Sequence, residues 1–134
     1  MCSSDLAAVL AQAERFAVAG RGGDARRLYR EAIEEQVAAG ESASRTHWLI
    51  ATTFFAEGRD LAAARALDEA AQSAAEFGDP EMELRATFEA AVLYAAQRMP
   101  EQVSSRVERV RRLLKSPAVG PEVRTGIERR MAQR

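Results

Sequence analysis

The residues of this chain that could take part in chemistry are few, and their spacing keeps them apart. His47 is the only histidine and Cys2 the only cysteine, so neither a disulfide within the chain nor a histidine-rich metal site can form. The carboxylate pairs 34–35 and 68–69 are neighbours in a helical pattern, where adjacent side chains point about 100° apart. Such carboxylates do not make an acid–base pair. We therefore expect a protein that is not an enzyme and that uses no cofactor or metal.

The charges of the chain are unevenly distributed, although they nearly cancel. The formal net charge is −1, yet residues 105–134 carry nine Arg or Lys against three Glu. Such a patch can bind nucleic acid or an anionic membrane. We favour another interpretation, in which the cations suit a helix dipole or dock on the acidic body of a neighbouring repeat, because no aromatic residue is interleaved with them. The cations on the predicted sixth helix are Arg106, Arg109, Arg111, Arg112 and Lys115.

Apolar residues recur at helical spacing along almost the whole chain, and glycine and proline mark the breaks. No segment alternates with a period of two, so we predict no sheet. Asp24, Asp60 and Asp79 stand where N-caps of the second, fourth and fifth helices are expected. The seven predicted helices cover about residues 6–19, 24–39, 43–57, 60–77, 80–98, 100–116 and 121–134.

The predicted helices form pairs, and the pairs repeat. Phe16, Phe54 and Tyr94 lie 38 and then 40 residues apart, near the ends of the first helices. Small residues let two antiparallel helices approach closely, and an aromatic residue one turn away fills the wedge between neighbouring pairs. The rows in register with the aromatic row are Ala13, Ala51 and Ala91; Gly20, Gly58 and Arg98; Ala25, Ala63 and Val103; Tyr29, Leu67 and Val107; and Ala32, Ala70 and Val110.

This order of small, aromatic, glycine, small, bulky and small positions resembles the tetratricopeptide repeat family. The first two units match the pattern throughout. The third keeps Ala91 and Tyr94 but has Arg98 for glycine and valine at the last three positions, Val103, Val107 and Val110. The spacing of 38 to 40 residues exceeds the family's 34 and is similar to long variants in large bacterial regulators and motor-associated adaptors. The resemblance implies an all-α, right-handed α-solenoid of about three antiparallel helix pairs and a short C-terminal helix. The units would be residues 6–40, 41–79 and 80–117, followed by helix 121–134.

The resemblance also implies a function, because the first helices of such repeats line a concave groove. We expect a scaffold that binds a protein, a peptide or a partner helix there, or adjoining repeats of its own longer chain. One alternative is a sensory or oligomerisation segment of a larger bacterial regulator, and another is nucleic-acid binding through the sixth helix. Trp48 and Phe55 would otherwise be buried between helix pairs. The expected groove residues are Arg45, Trp48, Thr52 and Phe55 on the third helix and Arg85, Phe88 and Val92 on the fifth.

The first six residues, MCSSDL, have a second explanation besides a helix cap. With GTG as start codon they back-translate to GTG-TGC-TCT-TCC-GAT-CT plus one base, which matches the end of a common sequencing adapter. We therefore interpret residues 1–6 as adapter-derived and residues 7–134 as the repeat domain, a piece of a longer bacterial protein from a metagenomic assembly. No apolar run approaches the roughly 20 residues of a membrane helix, and we expect a cytoplasmic protein.

Overall fold

The computed structural model describes residues 3–133 and folds them into seven α-helices, with no strand in that range. The predicted helices are confirmed, and their ends differ by three residues at most from the expected positions. Cys2 lies outside the described residues. The helices are α1 (Ser3–Val18), α2 (Gly22–Ala38), α3 (Ser44–Ala56), α4 (Asp60–Glu76), α5 (Pro80–Ala96), α6 (Pro100–Leu114) and α7 (Pro121–Ala132).

The helices form three hairpins that stack in chain order. α1 packs on α2, α3 on α4 and α5 on α6, and the hairpins meet where α2 lies along α3 and α4 along α5. The short connections make consecutive helices antiparallel, and α7 packs back onto α5. The expected all-α stack of helix pairs with a C-terminal helix is therefore present. Its right-handed sense stays a prediction.

The turn inside each hairpin has the same backbone conformation. Gly20 and Gly58 have positive φ angles of 79° and 72°, and Arg98 at the equivalent position has 56°. In each turn the next backbone N–H donates to the carbonyl oxygen five residues earlier, at 2.8 to 3.1 Å, which closes the helix end. A residue other than glycine is strained there by about 1 kcal/mol. The third hairpin thus keeps the repeat's turn without the residue that suits it best.

Only one of the three predicted aspartate caps forms. The backbone N–H of Met82 donates to the Asp79 carboxylate at 3.1 Å. α2 begins two residues before Asp24 and α4 begins at Asp60 itself, and neither helix has a side-chain cap. The prediction was wrong for these two helices because Arg21 and Arg59, and not the aspartates, occupy their N-cap positions. Asp24 and Asp60 instead occupy the first turn, where a carboxylate suits the helix dipole.

The rows of small residues form the seam of the core. Ala13, Ala25, Ala32, Ala63 and Ala70 are fully buried and belong to the tight contacts between helices. A main cluster runs through all three hairpins. A second cluster joins α5 and α6 to α7 through Leu84, Phe88, Val110, Leu113, Val119 and Ile127.

A buried arginine joins the first hairpin to the second. Arg26 on α2 is 7% exposed and donates to the Thr53 hydroxyl and the Glu57 carboxylate, both at 3.0 Å. Its guanidinium also lies 4.1 Å from the centroid of the Phe54 ring. These contacts satisfy a charge that would otherwise be costly to bury. The junction of the first two hairpins is therefore polar as well as apolar.

Candidate partner-binding groove

A shallow depression of about 310 Å³ lies between α3, α5 and α7. Its wall on α3 carries Trp48, Thr52 and Phe55, and its wall on α5 carries Val92. These four residues were all expected in the groove from sequence, and the structure brings them together. They share one surface because α3 and α5 occupy equivalent places in successive hairpins. We refer to this depression as the α3–α5–α7 groove.

The apolar side chains of this groove are open to solvent to different degrees. Phe55 is 59% exposed and Val92 is 41% exposed, whereas Trp48 is half-buried against the main core cluster. Phe54 precedes Phe55 but points about 100° away on the helix, where it fills the wedge beneath Arg26. Phe54 therefore packs between the hairpins, whereas the neighbouring Phe55 is available to contact a partner.

The structure corrects the expected position of Phe88. This side chain is only 8% exposed and belongs to the second core cluster, packed with residues of α6 and α7. The guanidinium of Arg130 covers its ring at 4.6 Å from the centroid. Phe88 is a core residue because α7 covers the part of α5 that the sequence pattern left open.

The two arginines expected in the groove lie outside the depression. Arg45 and Arg85 are exposed, and each stands about one helical turn before a lining residue, Trp48 and Glu89 respectively. Within the part of the chain that the structure describes, neither arginine forms an ion pair. Both remain accessible to a carboxylate on a bound partner that extends beyond the depression.

Two charged residues of the groove were missed by the sequence reasoning. Glu89 on α5 and Arg130 on α7 both line the depression and form an ion pair across it. The hydrogen bonds from Arg130 to Glu89 raise the pKa of the guanidinium above its ordinary value. Because the arginine is 46% exposed, such a pair contributes only about 0–1 kcal/mol. The apolar spacing of α7 predicted the helix, but no signal in the sequence indicated that Arg130 would lie beside α5.

Two members of the expected basic patch are used inside the fold. Arg106 donates to both oxygens of Asp68, at 2.8 and 3.0 Å, and the Tyr94 hydroxyl donates to the same carboxylate at 2.7 Å. Arg109 donates to Glu83 at 2.7 Å. Arg106 and Arg109 thus dock on acidic residues of neighbouring helices, as the favoured interpretation of the patch expects.

The remaining cations of the patch are free within the described part of the chain. Arg111, Arg112 and Lys115 are exposed near the end of α6 and form no ion pair there. Arg124 caps the same helix by donating to the carbonyl oxygen of Leu114 at 3.0 Å. The C-terminal end of α6 therefore presents three cations to solvent.

The histidine lies away from the groove. His47 on α3 is half-buried and lines a cleft between α2 and α4. Burial lowers the pKa of its imidazole below the ordinary value, and the charge of Glu69 opposes this shift in part. No cluster of three or more metal-binding side chains exists among residues 3–133.

None of the described helices combines the length and the apolar character that crossing a membrane requires. Comparison of the chain with protein-family models, with curated proteins and with solved structures gives no match. The resemblance to tetratricopeptide repeats therefore stays a prediction that rests on the residue rows.

Proposed function

We propose that this chain is a non-catalytic interaction module that binds an amphipathic partner helix in the α3–α5–α7 groove. The supporting observation is that Phe55 and Val92, 59% and 41% exposed, share one concave surface with Trp48. Single exposed apolar residues are common on proteins, whereas a concave group of them is typical of a binding site.

The groove defines the chemistry of its partner. An amphipathic helix would place apolar side chains, spaced three or four residues apart, against Trp48, Phe55 and Val92. Carboxylates one turn beyond this stripe would reach Arg45 or Arg85, and charge-assisted hydrogen bonds of this type are strong and directional. We therefore expect an apolar helix with acidic flanking residues.

A fluorescence titration tests this proposal. Helical peptides would be selected from a display library against the folded protein, and the selected peptides would be titrated while the emission of Trp48, the only tryptophan, is recorded. We expect Phe55→Ala and Val92→Ala each to weaken binding about tenfold, because truncated anchor residues commonly cost more than 1 kcal/mol. Phe77→Ala is the matched control, since Phe77 is 48% exposed but does not line the groove.

Two results of this titration would contradict the proposal. Peptides that bind the Phe55→Ala variant as well as the original protein, and that leave the Trp48 emission unchanged, would show that the groove is not the site. If the Phe77→Ala control weakens binding as much as Phe55→Ala and Val92→Ala do, the binding site lies at another surface.

Nucleic-acid binding is the weaker candidate. Of the five cations considered, Arg106 and Arg109 are already paired with carboxylates of this chain. Binding through Arg111, Arg112 and Lys115 alone would be weak and would weaken further with added salt. A filter-binding series over salt concentration separates this candidate from the groove, which needs none of the three cations.

A further inference from the structure

A small depression of about 240 Å³ lies between the C-terminal ends of α2 and α4. Val37 on α2 and Phe77 directly after α4 line it, and they are 66% and 48% exposed. Its lining also includes Ala43, just before α3, which is buried. No residue of the α3–α5–α7 groove lines this depression. We refer to it as the acidic depression, after its three carboxylates, Glu41, Glu69 and Glu76.

Hydrogen bonds between its two sides hold the acidic depression in shape. The backbone N–H of Ala43 donates to the Ser73 hydroxyl on α4 at 3.0 Å, and the hydroxyl oxygens of Ser42 and Ser73 lie 3.4 Å apart. These bonds tie the turn after α2 to α4. The two exposed apolar side chains therefore flank a concave surface that is already formed, which is typical of a binding site.

The segments that form the acidic depression carry many carboxylates and no basic residue. Residues 31–44 contain four Glu and no Arg or Lys, and residues 66–84 contain six Asp or Glu and no Arg or Lys. The last turns of α2 and α4 also lack the basic residue that commonly complements a helix dipole. Arg30 and Arg65 line the neighbouring cleft but not the depression. The surface around the two apolar side chains is therefore acidic.

The carboxylates that line the acidic depression are not used in ion pairs of the fold. Among residues 3–133, Glu41, Glu69 and Glu76 form no ion pair. Glu76 accepts a hydrogen bond at 3.2 Å from the neutral side chain of Gln72. Asp68 on α4, in contrast, is paired with an arginine of α6. A cation that enters the depression therefore meets carboxylates with no competing cation in the described part of the chain.

We propose that the acidic depression binds a basic segment of a partner protein. An apolar side chain of this segment lies between Val37 and Phe77, and its flanking arginine or lysine side chains meet the three carboxylates. Charge complementarity selects this occupant, because an acidic segment is repelled and a neutral one leaves the carboxylates unpaired. Arginine is the better flanking residue, since its guanidinium can bind a carboxylate through two hydrogen bonds. This surface is separate from the α3–α5–α7 groove, whose expected partner carries the opposite charge.

NMR and fluorescence titrations test the proposal, because the chain has one natural reporter beside each site. His47, the only histidine, lines the acidic depression, whereas Trp48, the only tryptophan, lines the α3–α5–α7 groove. The probe is a short, capped synthetic peptide with a central leucine and flanking arginines, and its counterpart carries glutamate in place of every arginine. We expect the arginine peptide to shift the ring signals of His47 and to leave the emission of Trp48 unchanged. The glutamate peptide should leave the His47 signals unchanged.

Two variants and a matched control assign the binding to the acidic depression. Glu41→Gln with Glu76→Gln should weaken binding of the arginine peptide at least about tenfold, because it removes two charges that face the peptide. Phe77→Ala should weaken it about tenfold, because it truncates the apolar anchor site. The control is Glu101→Gln with Glu128→Gln, which removes two exposed carboxylates outside the depression and changes the net charge equally. It should bind within about twofold of the original chain, since distant surface charges are largely screened.

The proposal is overturned if the arginine peptide leaves the His47 signals unchanged up to about 1 mM, or if the glutamate peptide shifts them equally. It is also overturned if Phe77→Ala or the Glu41→Gln, Glu76→Gln variant binds as tightly as the control. Circular dichroism checks that every variant keeps its helices. If sedimentation velocity shows self-association that the double variant loses, the occupant is a second copy of this chain and the proposal of a partner protein is wrong. Failure of the groove proposal is recorded separately, by the emission of Trp48.

Discussion

Replacing Asp68 by asparagine should lower the pKa of Tyr94 while leaving that of Tyr29 unchanged. Burial, followed by the hydrogen bond to Asp68 and the charge of that carboxylate, raises the pKa of Tyr94 to about 12. Asparagine can still accept the hydrogen bond, but it carries no charge to oppose a phenolate. Because burial is the largest cause and persists in the variant, the pKa of Tyr94 should fall but stay above 10.

The size of the effect follows from the two pKa values. A rise from 10.0 to about 12 corresponds to about 2.7 kcal/mol, at about 1.4 kcal/mol for each pH unit. The unfolded chain ionises its tyrosines first as pH rises, so the folded state holds this proton longer. The contribution of Tyr94 to stability is therefore complete below pH 10 and is lost as pH rises from 10 to about 12. In the Asp68→Asn variant the loss should be smaller and should end at a lower pH.

Tyrosinate absorbance during an alkaline titration measures this directly. The chain has two tyrosines, and the pKa of Tyr29 is also raised, by burial first and then by the charge of Glu14. A Tyr29→Phe background therefore isolates the transition of Tyr94, and Tyr94→Phe isolates that of Tyr29. Circular dichroism must show a folded protein at each pH. The reasoning is refuted if Tyr94 titrates near pH 10 in the original chain, or if its pKa is the same in the Asp68→Asn variant.

Five further substitutions test the packing. Arg98→Gly should raise the free energy of unfolding by about 0.5–1 kcal/mol because it removes strain at a positive φ angle, whereas Gly58→Ala at the equivalent turn should lower it, as measured by urea unfolding. Arg26→Ala should cost about 3 kcal/mol in the same assay, since it removes charge-assisted hydrogen bonds and the contact with an aromatic ring; a loss below about 1 kcal/mol would show that the buried network is unimportant. In thermal unfolding, Phe88→Ala should cost about 3–5 kcal/mol and Phe55→Ala less than about 0.5 kcal/mol, and equal costs would contradict the assigned burial.

The helices and the buried rows could be predicted because their signals are local. Apolar spacing marks a helix wherever it occurs, and the turn residues Gly20 and Gly58 mark its end. The burial of Phe88 could not be predicted in this way, since it depends on where α7 packs. Arg106 likewise meets a carboxylate 38 residues earlier in the chain, and a composition count cannot separate a paired cation from a free one.

The groove was predictable in part for the same reason. Trp48, Thr52, Phe55 and Val92 follow from the helix period and from the equivalence of α3 and α5. Arg130 closes the groove from a helix that lies outside the three repeated units. The repeat pattern therefore carries no information about this residue.

The buried Arg26 has a consequence for how such a chain can change by duplication. Its equivalents in the second and third hairpins are Ala64 and Ser104, at the 38- and 40-residue spacings of the rows. Only the second hairpin supplies the hydroxyl and carboxylate that Arg26 requires. A copy of the first hairpin inserted after the second would pack against α5, which begins at Pro80. Because α5 lacks these two groups, the copied arginine would be a buried charge without a partner. The hairpins share a backbone plan, but their order is fixed by side chains that recognise one specific neighbour.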